Sequence, residues 1–267
     1  MLYKLLVWLF DQYVEVVAAT RFLSVLPLPG LPSRFETRKA DAQTPQLQLG
    51  SAYFPFVGFL LATLLYLIQL LFGFLLPPLA LAAVLVVSLV LLTGGLHLDG
   101  LMDTCDGLLG GRTRERRLEI MRDSRVGSFG VLGGICVLLL KFALFASIER
   151  HRLSLAFFVV LPCARWAMVL ALRIFPSARS GGLGATFRQT VTLPRLIVAG
   201  AMALLFALVV GHGVGVLVWS AATCTALLLG VWVTHMIGGL TGDIYGAIEE
   251  VTEVVALLLF VAMRTFL

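Results

Sequence analysis

The sequence predicts an all-α polytopic integral membrane protein: a single membrane domain over residues 1–267, with six or seven transmembrane helices and an N-terminal interfacial helix. Two observations predict this fold. The first is composition: 60% of the 267 residues are hydrophobic and only 13% are charged, against about a quarter charged in an ordinary soluble domain. So few charges cannot cover a soluble surface of this size. That excludes a soluble globular protein, a disordered chain and a disulfide-rich secreted module. The second is that apolar runs near 20 residues, the length of a bilayer crossing, recur along the chain. A third observation bears on function. Of fifteen acidic residues, six lie between Asp99 and Asp123 and four between Asp243 and Glu253.

The elements follow in order. Residues 1–31 open on an apolar stretch, Leu5 to Phe10, broken early by Asp11 and Glu15. That is not the pattern of a cleaved signal peptide. It predicts an amphipathic helix on the membrane surface, with a short anchor as the alternative. Tyr53–Leu76 is a first span, stopped by Pro77-Pro78, and Leu79–Leu96 follows as its antiparallel partner. Val126–Ile148 is a third span, and Leu153–Ile174, carrying Arg165, a fourth. Leu196–Val210 and Val214–Met236 are a fifth and sixth, parted by a Gly211-His212-Gly213 turn. Val254–Leu267 is short and is either a tilted seventh span or an incomplete one. A polar loop runs from Pro32 to Gly50, and a Gly/Arg loop from Phe175 to Pro194. The segment 97–125 is charged, and 238–253 mixes glycines with acids.

Positive charge sets orientation. Lys4, Arg21, Arg34, Arg38 and Lys39, the six arginines of 97–125, and Arg173, Arg179, Arg188 and Arg195 fall on one side. Only Arg150, Arg152 and Arg264 fall opposite, so the first side is cytoplasmic and carries both acidic segments. The net charge of +5 therefore reports topology and not a nucleic-acid partner. Cys105, Cys136, Cys163 and Cys224 form no CxxC pair and suggest neither zinc nor disulfides. Gly181-Gly182-Leu183-Gly184 is no more than a flexible turn.

On a helix, Asp99, Asp103 and Asp106 fall at i, i+4 and i+7, on one face. Stacked like charges repel, more so beside a low-dielectric membrane, so a bound cation best explains them. Carboxylates without thiols favour a hard metal, Mg²⁺ by default. Glu115, Glu119 and Asp123 share a second face, with Arg112 and Arg122 close to it. Acids for metal beside arginines for phosphate are what phosphoryl transfer requires. The competing reading of 115–117 is a solvated helix laced with ion pairs. His97 faces away from Asp99 and Asp106 on a continuous helix, and reads equally as a ligand or proton donor and as a satisfied, non-catalytic histidine. In 238–253, Gly239, Gly242, Gly246, Glu250 and Glu253 form a stripe with Asp243 at its edge. Acids on such a stripe are functional by default, or else belong to a helix-packing face. Arg165, in mid-span, needs an acid or a substrate phosphate as partner.

Long strings in this chain resemble the cobalamin synthase family, the adenosylcobinamide-GDP ribazoletransferases. They include Thr20-Arg21-Phe22-Leu23, the Pro27/Pro29 stretch and Phe54-Pro55-Phe56-Val57-Gly58. Gly94-Gly95-Leu96-His97-Leu98-Asp99-Gly100-Leu101, Asp103 with Asp106-Gly107, and Leu118 through Gly127 are the strongest. Gly239 to Asp243, Gly246-Ala247, Glu250 and Glu253 close the match. Met102 and Cys105 stand where small residues are expected. A local likeness to CDP-alcohol phosphotransferases lies in Asp103-x-x-Asp106-Gly107, Arg112 and Glu119-x-x-x-Asp123, with Glu119 in place of an aspartate.

The resemblance implies a Mg²⁺-dependent enzyme of the bacterial inner membrane, its active site facing the cytoplasm. α-Ribazole or its 5′-phosphate would attack adenosylcobinamide-GDP, forming adenosylcobalamin or its 5′-phosphate and releasing GMP. It assigns Asp99, Asp103, Asp106 and Glu119 to metal, and Asp123, with His97, to acid–base work. Arg112, Arg122 and Arg125, with Arg165, are assigned to substrate phosphate. Asp243, Glu250 and Glu253 would make a second metal site or bind the ribazole hydroxyls. Another membrane alcohol phosphotransferase, of the lipid head-group type, is the enzymatic alternative. An ion-coupled transporter is the other, and predicts acids spread through the spans. Oligomeric state is left open.

Overall fold

The computed structural model describes residues 2–28, 50–179 and 188–263. Pro29, the 32–49 loop with Arg34, Arg38 and Lys39, Gly181 to Gly184, and Arg264 to Leu267 lie outside the described residues. The chain is all-helical among the described residues, apart from one isolated backbone bridge between Ser177 and Leu240.

Helix α1, Leu2–Leu23, is half inside the fold and half out. Val14, Val17, Ala19 and Leu23 are buried, whereas Tyr3, Leu5, Leu6, Trp8 and Phe10 are exposed. Its inner half is pinned by the Tyr53 hydroxyl donating to Gln12 Oε1 at 2.6 Å and by an ion pair between Glu15 and Arg195. A single 3₁₀ turn, Ser51–Tyr53, leads into α2, Phe54–Phe72. Helix α3, Pro78–Thr93, starts on a proline at its first position, where no backbone donor is lost.

Gly94 and Gly95 follow with φ of +64° and +71°. A left-handed pair of this kind suits glycine, and it turns the chain by 89° into α4, Leu96–Gly110. The charged segment is largely helical, made of α4 and the short α5, Arg114–Ile120, and it leads into α6, Ser128–Ser147. Helix α7, Arg150–Ile174, is buried nearly throughout and forms the centre of the bundle. Its Pro162 meets Gly58 of α2, where an added Cβ would lie 2.6 Å from the Leu161 carbonyl oxygen.

Helix α8, Leu193–Ile237, has 45 residues. Straight, it would be about 68 Å long, twice the bilayer core. It instead reverses at His212, whose φ is +48°. A Cβ on Gly215 would sit 1.8 Å from the Ala207 carbonyl oxygen, a distance closed only if the two halves fold back on each other, since eight residues of straight helix span about 12 Å. Trp166 of α7 packs between the two legs, against Gly200 on one and stacked on Trp219 at 5.9 Å on the other. The two spans expected on either side of His212 are these legs. Helix α9, Gly242–Ala262, completes the bundle.

Among the described residues, four helices are long and apolar enough to cross a bilayer, with the two legs of α8 counted together, and α3 with α4 adds a bent fifth. The chain is thus a multi-pass membrane protein. The boundary expected at Val254 is absent: the second acidic segment and the apolar run after it form one helix, α9. The reason is charge compensation. Lys141 of α6 lies 2.6 Å from both Glu250 and Glu253. Arg165 of α7 lies 2.6 Å from Glu249 and also pairs with Glu253. His97 of α4 approaches Glu249 with Nδ1 at 3.3 Å. All six residues are buried.

Two predictions follow from this packing. Gly58→Leu forces α2 away from the α7 backbone, and overpacking of this kind costs about 1–3 kcal/mol, so the apparent melting temperature in detergent falls. Lys141→Met strands buried carboxylates at a cost of about 3–5 kcal/mol. Lys141→Met combined with Glu250→Gln recovers a measurable part of that loss in denaturant titrations. An unchanged midpoint for Lys141→Met would show that the network does not carry the fold.

Candidate active site

The two faces of α4 have different fates. One packs on α9: a Cβ on Gly246 would lie 3.0 Å from the His97 carbonyl oxygen, and one on Gly100 would lie 2.7 Å from that of Asp243. A second packs on α6, where Met102 and Cys105 lie over Gly134 and Gly133. The glycines of α6 make room for these two larger residues. What remains of α4 faces outward and carries Asp99, exposed, and Asp103, half-buried.

Asp106 is not on that open face. Its carboxylate is buried and accepts the backbone N–H groups of Gly127 at 2.7 Å and Gly130 at 2.8 Å. It caps α6, where a negative charge also meets the positive end of the helix dipole. A Cβ on either glycine would come within 2.4 Å of its oxygens. Glu119 points away as well, paired at 2.8 Å with Arg116 on the exposed side of α5. The set Asp99, Asp103, Asp106 and Glu119 is therefore not brought together. Among the described residues, no three carboxylate, imidazole or thiol groups converge closely enough to cage a metal ion.

The close α4–α9 crossing brings a different acid to Asp99 and Asp103. Asp243, at the start of α9, lies near enough for its charge to act on Asp103, as does that of Asp99. Thr241 donates to Asp243 Oδ2 at 3.1 Å. Asp99 and Asp103 have no cation within ion-pair distance among the described residues. Their donors are hard oxygens at an open mouth. Mg²⁺ needs only one or two protein carboxylates, with water and phosphate oxygens completing its shell, so this set fits it.

Arg112 and Arg122 are exposed. Arg125 grips Asp123 through Nη2 at 2.6 Å and Nε at 3.0 Å. The hydrogen-bonded guanidinium holds the exposed Asp123 carboxyl at about 2, below the ordinary carboxylate range. Arg114 and Arg117 instead cap the end of α8: Arg114 donates to the carbonyls of Ile237 (2.8 Å) and Ala178 (3.1 Å), and Arg117 to that of Met236 (3.2 Å). They fasten α5 to the bundle, and cations suit the negative end of a helix.

Arg165, Glu250 and Glu253 lie in the interior network with His97, away from the open face of α4. Arg165 already has Glu249 and Glu253 as partners. His97 faces α9 and not Asp99. Two residues that sequence reasoning passed over are Glu249, which completes the network, and Arg179. The Arg179 Nη2 group donates to the Leu118 carbonyl at 3.0 Å, and Arg122 and Asp243 are its charged neighbours. The only signal for Arg179 was its place among the basic residues that set topology.

A family model described as cobalamin-5-phosphate synthase matches residues 15–261. A protein from Roseiflexus sp. (strain RS-1), named adenosylcobinamide-GDP ribazoletransferase, is 41% identical over 93% of this chain and 89% of its own length. Proteins of the same name are 39% identical in Desulfitobacterium hafniense (strain Y51), covering 90% of this chain and 93% of the relative, and 37% identical in Desulforamulus reducens, covering 88% and 91%. No solved structure matches. With the match running through α4, the α5–α6 junction and α9, the chain belongs to the cobalamin-5-phosphate synthase family.

Proposed function

We propose that this protein is a membrane-bound phosphotransferase that joins α-ribazole, or its 5′-phosphate, to adenosylcobinamide-GDP. The products are adenosylcobalamin, or its 5′-phosphate, and GMP. The observation that carries this reading is the mouth itself. Asp99 and Asp103, one turn apart on the outward face of α4 and without basic partners among the described residues, have Asp243 as a charged neighbour, and Asp243 in turn neighbours Arg179, in a chain of the cobalamin-5-phosphate synthase family. The relatives' names supply the substrates.

In this reaction a secondary ribose hydroxyl oxygen of α-ribazole, whose 5′ position is free or phosphorylated, forms a bond to the phosphorus linked to cobinamide. The bond from that phosphorus to the bridging oxygen breaks, and GMP leaves with the electron pair. Both phosphates carry negative charge that must be neutralised. Asp99 and Asp103 are the residues that would hold Mg²⁺, with Asp243 adding negative charge nearby, and the ion would supply Lewis-acid stabilisation to the phosphate oxygens. Arg112, Arg122 and Arg125 bind phosphate as forked donors. Asp123 takes the hydroxyl proton. Its carboxylate becomes a competent base when a substrate phosphate engages Arg125 and draws it away. The basic residues gathered at this end support a cytoplasm-facing site in the bacterial inner membrane. A transporter would use interior acids as a relay. The interior glutamates here are held by Lys141 and Arg165, which favours the enzyme.

The test is purified protein in lipid nanodiscs with adenosylcobinamide-GDP, α-ribazole and Mg²⁺, followed by GMP release. Absence of GMP would sink the proposal, and turnover of CDP-diacylglycerol instead would point to a lipid head-group enzyme. Asp103→Asn lowers turnover by at least ~100-fold, the usual scale for a lost charged group at a phosphoryl-transfer centre.

Asp123→Asn lowers kcat by about 10²–10⁴-fold, the range for general base catalysis. Because Arg125 depresses the Asp123 carboxyl to about 2, that group stays ionised from neutral pH down past about pH 4, where free carboxylates begin to protonate. An acid limb of kcat/KM above that point therefore belongs to another group, and its position does not move in Asp123→Asn. Near-normal turnover in this variant would remove the base assignment.

A further inference from the structure

We infer that Arg179 is a phosphate ligand of this site, holding the pyrophosphate of the nucleotide-bearing substrate together with Arg122. The inference rests on the phosphotransferase reading above and adds to it a residue from outside the acidic segments.

The backbone around Arg179 is built to hold it still. The Ala178 N–H donates to the Leu240 carbonyl at 2.9 Å, and the Leu240 N–H returns to that of Pro176 at 2.8 Å. The Ser177 hydroxyl donates to the Arg179 carbonyl at 3.0 Å, and Arg114 donates to that of Ala178 at 3.1 Å. Gly239 closes the junction, for a Cβ there would lie 2.5 Å from the Pro176 carbonyl oxygen. A segment just beyond α7 is thereby clipped to the α8–α9 link, directly before Asp243.

The guanidinium itself is only partly used. One Nη2 hydrogen goes to the Leu118 carbonyl. Nε is buried and has no hydrogen-bond partner among the described residues. A buried, unpartnered donor on a cation is costly, and it is retained where something else accepts from it. The charges beside it point to what that is. Arg122 lies close enough for its like charge to oppose that of Arg179, and Asp243 is the acid whose charge also acts on it. Two neighbouring guanidinium groups repel unless an anion bridges them. A phosphate matches a forked donor pair in both charge and shape. A residue serving only to clip α5 would need the Leu118 bond and nothing more.

The experiment uses the full chain in nanodiscs, with Arg179→Gln and Arg179→Lys. Inorganic pyrophosphate binding is measured by calorimetry and GMP release by steady-state kinetics. The expected result is a KM for adenosylcobinamide-GDP raised about 10- to 100-fold in Arg179→Gln, the loss of one or two charge-assisted hydrogen bonds. Arg179→Lys recovers part of this through charge alone. Pyrophosphate affinity falls in parallel, while the KM for α-ribazole and the ligand-free melting temperature stay within error. Arg116→Gln, on the exposed side of α5, leaves all of these at wild-type values. Wild-type KM and pyrophosphate affinity in Arg179→Gln would overturn the inference. So would a fall in melting temperature with both KM values raised equally, which marks a structural clip. If wild-type protein releases no GMP, the reaction assigned above fails, and pyrophosphate binding still decides whether Arg179 holds phosphate.

Discussion

The membrane interior does not tolerate an unpaired charge, and the buried network of α6, α7 and α9 is how this chain satisfies that constraint. Three glutamates within five residues of α9 would keep a lone helix out of the bundle. Lys141 and Arg165 approach from two directions and make them acceptable. The pairs need not add net stability over an apolar core. What they impose is register: α9 sits at one height and rotation against α6 and α7, because a shift by one residue would strand a carboxylate. Helix α4 meets the same helix through the His97 carbonyl, which lies against Gly246.

Register in the interior becomes geometry at the mouth. Glu249 and Asp243 lie on the same helix, so fixing the first fixes the second. The crossing of α4 and α9 is close because Gly100 and Gly246 stand at the contact, each with the other helix's backbone where a side chain would be. That closeness sets Asp243 beside Asp99 and Asp103. Asp106 contributes differently: by capping α6 it holds the helix that bears Lys141 against the helix that bears the open aspartates. One acidic segment thus performs two tasks, and only the part without local partners is left for chemistry.

Much of this was legible in the sequence. Composition and run length predict a multi-pass helical membrane protein, and the reversal at His212 is written in Gly211-His212-Gly213. The i, i+4 spacing of Asp99 and Asp103 places them on one face, as found. Other features were not legible because they depend on partners distant in the chain. Asp106 shares a helical face with its neighbours but is claimed by backbone donors 21 and 24 residues away. The acids of α9 read as a second site because nothing local revealed Lys141 and Arg165 as their partners. Glu119 follows the helical pattern, yet a seven-residue helix turns it toward Arg116. Periodicity identifies a shared face of one helix; it does not say which neighbouring element that face meets.

The same rule separates structural from reactive charge across the molecule. Arg114 and Arg117 end on backbone carbonyls, Arg116 on Glu119, and Arg165 on two glutamates. Each has its compensation within the chain. Among the described residues Asp99 and Asp103 have none, and Arg179 keeps a buried donor with nothing to receive it. These unmet groups have opposite signs and lie around one opening, so neither set can be satisfied by simple salt: the acids call for a cation and the arginine for an anion. A metal-bound pyrophosphate, the ligand class proposed above, would answer both at once, with its cation met by the acids and its phosphates by the arginine.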